Sequence, residues 1–140
     1  MKYLVATDGS DESDRAVEYA AVHAEAVDAE LHIGHVLSPE SQLIEGELVL
    51  PGGDKALEEG ERIVERGVRL AEESVDGELS PETDLLTGRP ADAIAEHASV
   101  IDADAIYLGH RGLSDLRERV VGSVAKSVID RATVPVTVVR

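Results

Sequence analysis

The sequence contains no cysteine, which excludes disulfides, thiolate metal sites and cysteine nucleophiles together. Tryptophan and phenylalanine are also missing, so an aromatic platform for stacking nucleobases is not expected, and the core must come from Val, Leu, Ile and Ala. No run approaches the ~20 apolar residues of a membrane span. The opening Met1-Lys2-Tyr3-Leu4-Val5-Ala6-Thr7-Asp8 reaches an acidic residue too early for a secretory signal. These absences lead us to expect a soluble, cytoplasmic protein that does not engage a membrane. Positive charge is scarce: 13 Lys plus Arg stand against 29 Asp plus Glu, for a formal net charge of -16. A nucleic acid would be repelled as a whole, so none is expected as a partner. The same acidic excess suits adaptation to a high-salt cytoplasm, where screening falls to ~3 Å at 1 M salt; a plain acidic soluble protein is the alternative.

The chain of 140 residues is 43% hydrophobic, enough for the core of one domain spanning 1–140. Residues 2 to 7 read as a strand ending at Asp8-Gly9-Ser10. A helix follows, with Ser10 near its cap, acids Asp11, Glu12 and Asp14 in its first turn, and an apolar repeat from Ala16 to Val27. Leu31 to Leu37 is a second strand. Residues 38 to 53 show no clear period; a connection this long is usually functional, and we expect it to fold over a bound ligand or onto a partner subunit. Leu57, Val64, Val68, Ala71 and Val75 mark a second helix whose stripe is interrupted by Gly60 and Gly67. A third strand at Glu82 to Thr87 leads through Gly88-Arg89-Pro90, a proline suited to a first helical turn, into a helix carrying Ile94, Ala95 and Ala98. Asp104 to Leu108 is a fourth strand, Val121 to Ile129 belong to a last helix, and Pro135 to Val139 form a fifth strand.

Five short apolar strands alternating with four helices predict an α/β domain with a parallel sheet covered on both faces. Sheets of this size take the order 3-2-1-4-5 or 2-1-3-4-5, and ligands bind where the order reverses. In the first arrangement Thr7-Asp8-Gly9 and Gly109-His110-Arg111-Gly112 face one pocket.

The segment richest in chemical information is Gly109-His110-Arg111-Gly112, nine further residues, then Gly122-Ser123. Glycines after a strand let the backbone approach a phosphate, and the amides of Gly122, Ser123 and Val124 open the last helix, where unsatisfied N–H groups and the helix dipole favour an anion. Asp8 could instead only shape a turn, Ser123 could only cap a helix, and Arg111 could be a solvated surface residue. His23, His32, His35, His97 and His110 lack metal-ligand spacing. No Gly-Lys-Ser/Thr loop and no Gly-x-Ser-x-Gly elbow is present, so neither a P-loop ATPase nor a serine hydrolase is expected.

With Val5-Ala6-Thr7-Asp8-Gly9-Ser10, Ser13, Gly88-Arg89-Pro90-Ala91, Asp104 and Pro135-Val136-Thr137-Val138-Val139, this loop resembles the ATP-binding branch of the universal stress protein family. The resemblance implies a Rossmann-like fold of order 3-2-1-4-5 and a homodimer joined through the terminal strand, 135–139. It implies that Ala6, Thr7, Asp8 and Val36 line adenosine, and that Leu108, Gly109, Arg111 and Gly112 flank ribose and α-phosphate. Gly122, Ser123 and Val124 would hold the outer phosphates of ATP (or ADP or AMP), often with Mg²⁺ or Mn²⁺. Two positions depart from close relatives: Ala125, where a hydroxyl sometimes adds a phosphate contact, and Arg89, where a small or acidic residue is commoner. Nothing in the sequence is visibly placed to orient an attacking water, so the expected role is nucleotide-dependent signalling in a stress response. A slow ATP hydrolase or phosphotransferase, and a nucleotide-free structural dimer, are the alternatives.

Overall fold

The computed structural model describes residues 1–37, 42–44, 47–49, 53–111 and 121–140. Along the chain run β1 (Lys2–Ala6), α1 (Asp11–Val27), β2 (Glu30–Val36), β3 (Gln42–Ile44), β4 (Glu47–Val49) and α2 (Asp54–Glu73). Then follow β5 (Glu82–Leu86), α3 (Pro90–Val100), β6 (Ala105–Gly109), α4 (Ser123–Arg131) and β7 (Val136–Val139). The main sheet has the order β5-β2-β1-β6-β7 with every pairing parallel. In order of occurrence its strands stand 3-2-1-4-5, one of the two arrangements open on the residues and the one implied by the family resemblance.

Adjacent residues of each strand point to opposite faces, so two cores form on one sheet. Val5, Ile33 and Tyr107 pack with the helical residues Val17 and Val64, beneath α1 and α2. Leu4, Ile106 and Leu108 pack with Ile94, Ala98 and Val128 beneath α3 and α4. Leu4, Leu31, Ile33 and Ile106 are fully buried, and each such side chain contributes about 1.5–3 kcal/mol. The inner face of α1 presents Ala16, Ala20, Ala21 and Ala24, small side chains that bring the helix close to the strands in a core without Phe or Trp.

Some boundaries move by about one turn or less, Val75 falling beyond α2 and Val121 before α4 because the packing stripe outruns the helices, and two larger features differ from the expectation. The 38–53 stretch contains an antiparallel pair of three-residue strands, β3 and β4, too short for a two-residue period to stand out in sequence. The glycines that seemed to interrupt α2 are instead buried against the sheet. A Cβ on Gly60 would lie 2.8 Å from Leu37 Cδ2 and 3.0 Å from Leu85 Cδ2, and one on Gly67 would lie 3.1 Å from Ile33 Cγ2. Lacking a side chain, both residues let α2 rest directly on β2 and β5. Between them Ile63 reaches the turn after β1, 3.5 Å from where a Gly9 Cβ would stand.

Candidate functional site

After β1 the chain turns toward α1 and β2, whereas after β6 it turns the other way toward β7, so the sheet's reversal lies between the adjacent strands β1 and β6. Ligands of open parallel sheets bind beyond the carboxyl ends of strands at such a point. The described residues that meet there come from the β1–α1 turn, the end of β6 and the start of α4.

The β1–α1 turn is tightly bonded. Gly9 has φ of +83°, a left-handed conformation that glycine adopts without Cβ strain. Asp8 Oδ1 accepts from the Ser10 N–H at 2.9 Å and from the Ser13 hydroxyl at 3.0 Å. The Ser10 hydroxyl caps α1 by accepting from Ser13 N–H at 3.3 Å, and the Thr7 and Ser13 hydroxyls lie 3.0 Å apart. Asp8 therefore shapes the turn, and its carboxylate is held in one orientation beyond the carboxyl end of β1. Ser13, at the centre of this network, carried no site role in the sequence; its spacing of three from the cap residue was the available signal. From β2, His35 Nδ1 donates to the Thr7 carbonyl at 2.8 Å.

Gly109 lies where α1 crosses the end of β6. A Cβ there would stand 2.8 Å from the Glu12 carbonyl carbon and 2.9 Å from Ser13 N. The sequence reading attributed this glycine to phosphate approach; the backbone of α1 independently demands it. Beyond it, His110 ties three elements together: its N–H donates to Val139 C=O at 2.8 Å, and its C=O accepts from Gly122 N–H at 2.5 Å. Both ends of the long glycine loop are thus joined at the start of α4. Burial holds the His110 imidazole below its usual pKa, and Arg111 pushes it the same way.

Gly122 is the N-cap of α4, with φ of −63° and no side-chain cap bond. Its backbone is therefore unstrained. Ser123 is the first helical residue and exposed, so it is not the cap that one sequence alternative made it. Val124 follows, half-buried, while Ala125 is buried among the side chains beneath α4. The first amides of a helix have no intrahelical acceptors, which makes this end suited to an anion. Arg111 follows His110, whose carbonyl meets the Gly122 N–H, and the Arg111 Nη2 donates to Glu12 Oε1 at 2.7 Å. The Glu12 carboxyl is held below its usual range by its own backbone N–H; desolvation opposes this, and Arg111 and Arg15 support it.

Of the remaining sequence candidates, Ala6 and Val36 are half-buried at the ends of β1 and β2 and packed toward α3 and α4. Leu108 is buried, so only its backbone can meet a ligand. Gly112 lies outside the described residues. Of the five histidines, His32 and His97 meet around Asp84: His97 Nε2 lies 3.0 Å and His32 Nδ1 4.0 Å from the same carboxylate oxygen. Among the described residues no group of three His, Asp or Glu side chains is placed to hold a metal ion, and no helix is long and apolar enough to cross a membrane.

The Universal stress protein family matches residues 1–140. The chain belongs to this family. Universal stress protein YxiE of Bacillus subtilis is 34% identical over 146 aligned positions, which cover 99% of this chain and 98% of that protein. Among solved structures, a universal stress protein in complex with cAMP is 31% identical with a TM-score of 0.72, covering 100% of this chain and 97% of its own. The universal stress protein from Archaeoglobus fulgidus in complex with dAMP is 26% identical with a TM-score of 0.76, covering 100% of this chain and 98% of its own.

Proposed function

We propose that this universal stress protein binds an adenine nucleotide at the β1–β6 reversal and acts as a nucleotide-dependent module of a stress response, with ATP as its ligand. The observation that carries this reading is the convergence of the bonded Thr7-Asp8-Gly9 turn, the Gly109-His110-Arg111 segment and the start of α4 at Gly122. In this reading the first of these takes the nucleoside and the last the phosphates. The similar proteins solved with cAMP and dAMP support an adenine nucleotide over other anions. In this reading Ala6, Thr7, Asp8 and Val36 meet adenosine. Leu108, through its backbone, with Gly109, Arg111 and Gly112, flanks the ribose and α-phosphate; Gly122, Ser123 and Val124 take the outer phosphates. Mg²⁺ or Mn²⁺ would arrive on those phosphates rather than in a protein-built site. The protein would act as one domain and as a homodimer paired through β7.

Mass spectrometry of whatever is released on denaturing purified protein tests the reading directly. ATP, ADP or AMP is the expected finding. Calorimetric titration of stripped protein with ATP and with adenosine completes the test; absence of binding by both would sink it. Conversion of bound ATP to ADP over repeated turnovers would favour the slow hydrolase instead.

A further inference from the structure

Cationic groups are scarce in this chain, 13 against 29 acids, yet the arginine at the phosphate end is bonded to a carboxylate. Arg111 and Glu12 are 20% and 16% exposed, respectively, so their contact is partly shielded from water and loses less to screening than a surface pair. The contact is also built into the fold. Gly109 lets the backbone of Glu12 press against the end of β6, which fixes the first turn of α1 two residues away from Arg111. Glu12 also lies 3.4 Å from Arg15 Nη2, but Arg15 points outward, being 48% exposed.

We propose that Glu12 sets how strongly the site responds to ligand charge: its carboxylate occupies and neutralises Arg111, and an incoming phosphate competes with it for that guanidinium. This rests on the nucleotide reading above, with Arg111 beside the α-phosphate. The consequence is selective. A nucleoside places no anion near Arg111 and is indifferent to Glu12, whereas AMP and ATP must share or displace the carboxylate. Glu12 thereby narrows the affinity gap between phosphorylated and unphosphorylated adenosine, a specificity role distinct from direct ligand contact.

The test is calorimetry with adenosine, AMP and ATP on the unsubstituted chain and on Glu12→Gln, with Asp11→Asn as the control. Asp11 is an exposed acid in the same helical turn, so its substitution removes the same charge without touching the contact. Glu12→Gln is expected to tighten AMP and ATP about threefold to fivefold, the size of effect that partly exposed ion pairs exert. Adenosine affinity should stay as it was, and Asp11→Asn should move AMP by less than half as much. Circular dichroism establishes that each variant is folded, and Glu12→Ala is a second variant with the same expected direction. Weaker or unchanged AMP binding in Glu12→Gln would overturn the proposal, the former by showing that Glu12 holds Arg111 in its binding position. Equal effects of the two substitutions would assign the gain to the overall acidic field and overturn it as well. If neither adenosine nor AMP binds the unsubstituted chain, the nucleotide reading fails and this inference with it, an outcome separate from the other three.

Discussion

The His35 Nδ1–H points at the carbonyl oxygen of Thr7, 2.8 Å away, and closes the end of the β1–β2 ladder with a side chain. The backbone ladder continues as far as the Thr7 N–H, which donates to Gly34 C=O at 2.9 Å. At Gly9 the chain then leaves for α1, and the side chain of β2 takes the acceptor left at Thr7. Because a carbonyl only accepts, the proton must sit on Nδ1. Asparagine can place an N–H at the same point and leucine cannot. His35→Leu is expected to cost about 1 kcal/mol more than His35→Asn in urea unfolding. Equal losses would show that the ring acts by packing alone.

Asp14 gives a pH signature. Burial raises its carboxyl pKa above 3.8, and this outweighs the attraction of Arg66, whose side chain is 51% exposed and well solvated. A raised pKa means the folded state binds the proton more tightly than the unfolded chain. This group's contribution to stability is therefore greatest below the unfolded carboxylate pKa and falls as pH rises through the folded value. Asp14→Asn is expected to raise the urea midpoint at pH 7, with the gain vanishing near pH 3. A lower midpoint at pH 7 would mean that the Arg66 pair dominates.

At the sheet's edge, the carbonyls of Pro135 and Val139 accept from Ile106 and His110. Alternation along a parallel strand then turns the N–H and C=O of Val136 and Val138 toward the open side. Val138→Pro removes an outward donor and leaves the ladder to β6 intact, the kind of edge position where proline is tolerated. If two chains pair through β7, light scattering should report a monomer with unchanged circular dichroism. A surviving dimer would place the contact elsewhere.

The acidic surface sets the expected salt response. At 0.01 M the Debye length is ~30 Å and a net charge of -16 repels ATP as a whole, whereas at 1 M it is ~3 Å and only the local loop is felt. ATP affinity is expected to rise or hold level through a KCl series while adenosine affinity stays flat. A steep fall for ATP on folded protein would give control to local cations, as in basic phosphate binders.

The alternation of strands and helices and the Ser10 cap are legible in the sequence because each leaves a local mark, apolar runs in one case and a hydroxyl before an acidic turn in the other; the residues leave the strand order between two arrangements, and only the family resemblance points to the one observed. Contacts between distant segments leave no such mark. Nothing around Glu12 points to Arg111, 99 positions away, and nothing around His35 points to Thr7. Gly109 showed as a required glycine, but the reason visible from the sequence was a phosphate and the one in the fold is a helix backbone. The antiparallel pair β3 and β4 leaves no mark because three residues are too few to display a period.

The seam of α2 divides that helix into two parts with different freedom to vary. Gly60, Val64, Gly67 and Ala71 are its buried line, and at Gly60 even a methyl group would collide with Leu37. The outward residues, among them Glu58, Glu61, Glu65 and Arg69, bear on no such contact. Over generations the helix can therefore exchange one charge pattern for another, following the salinity or partners its bearer meets. Gly60 and Gly67 must stay small while it does so, and relatives from unlike environments should differ most along the outward line of α2 and least at those two positions.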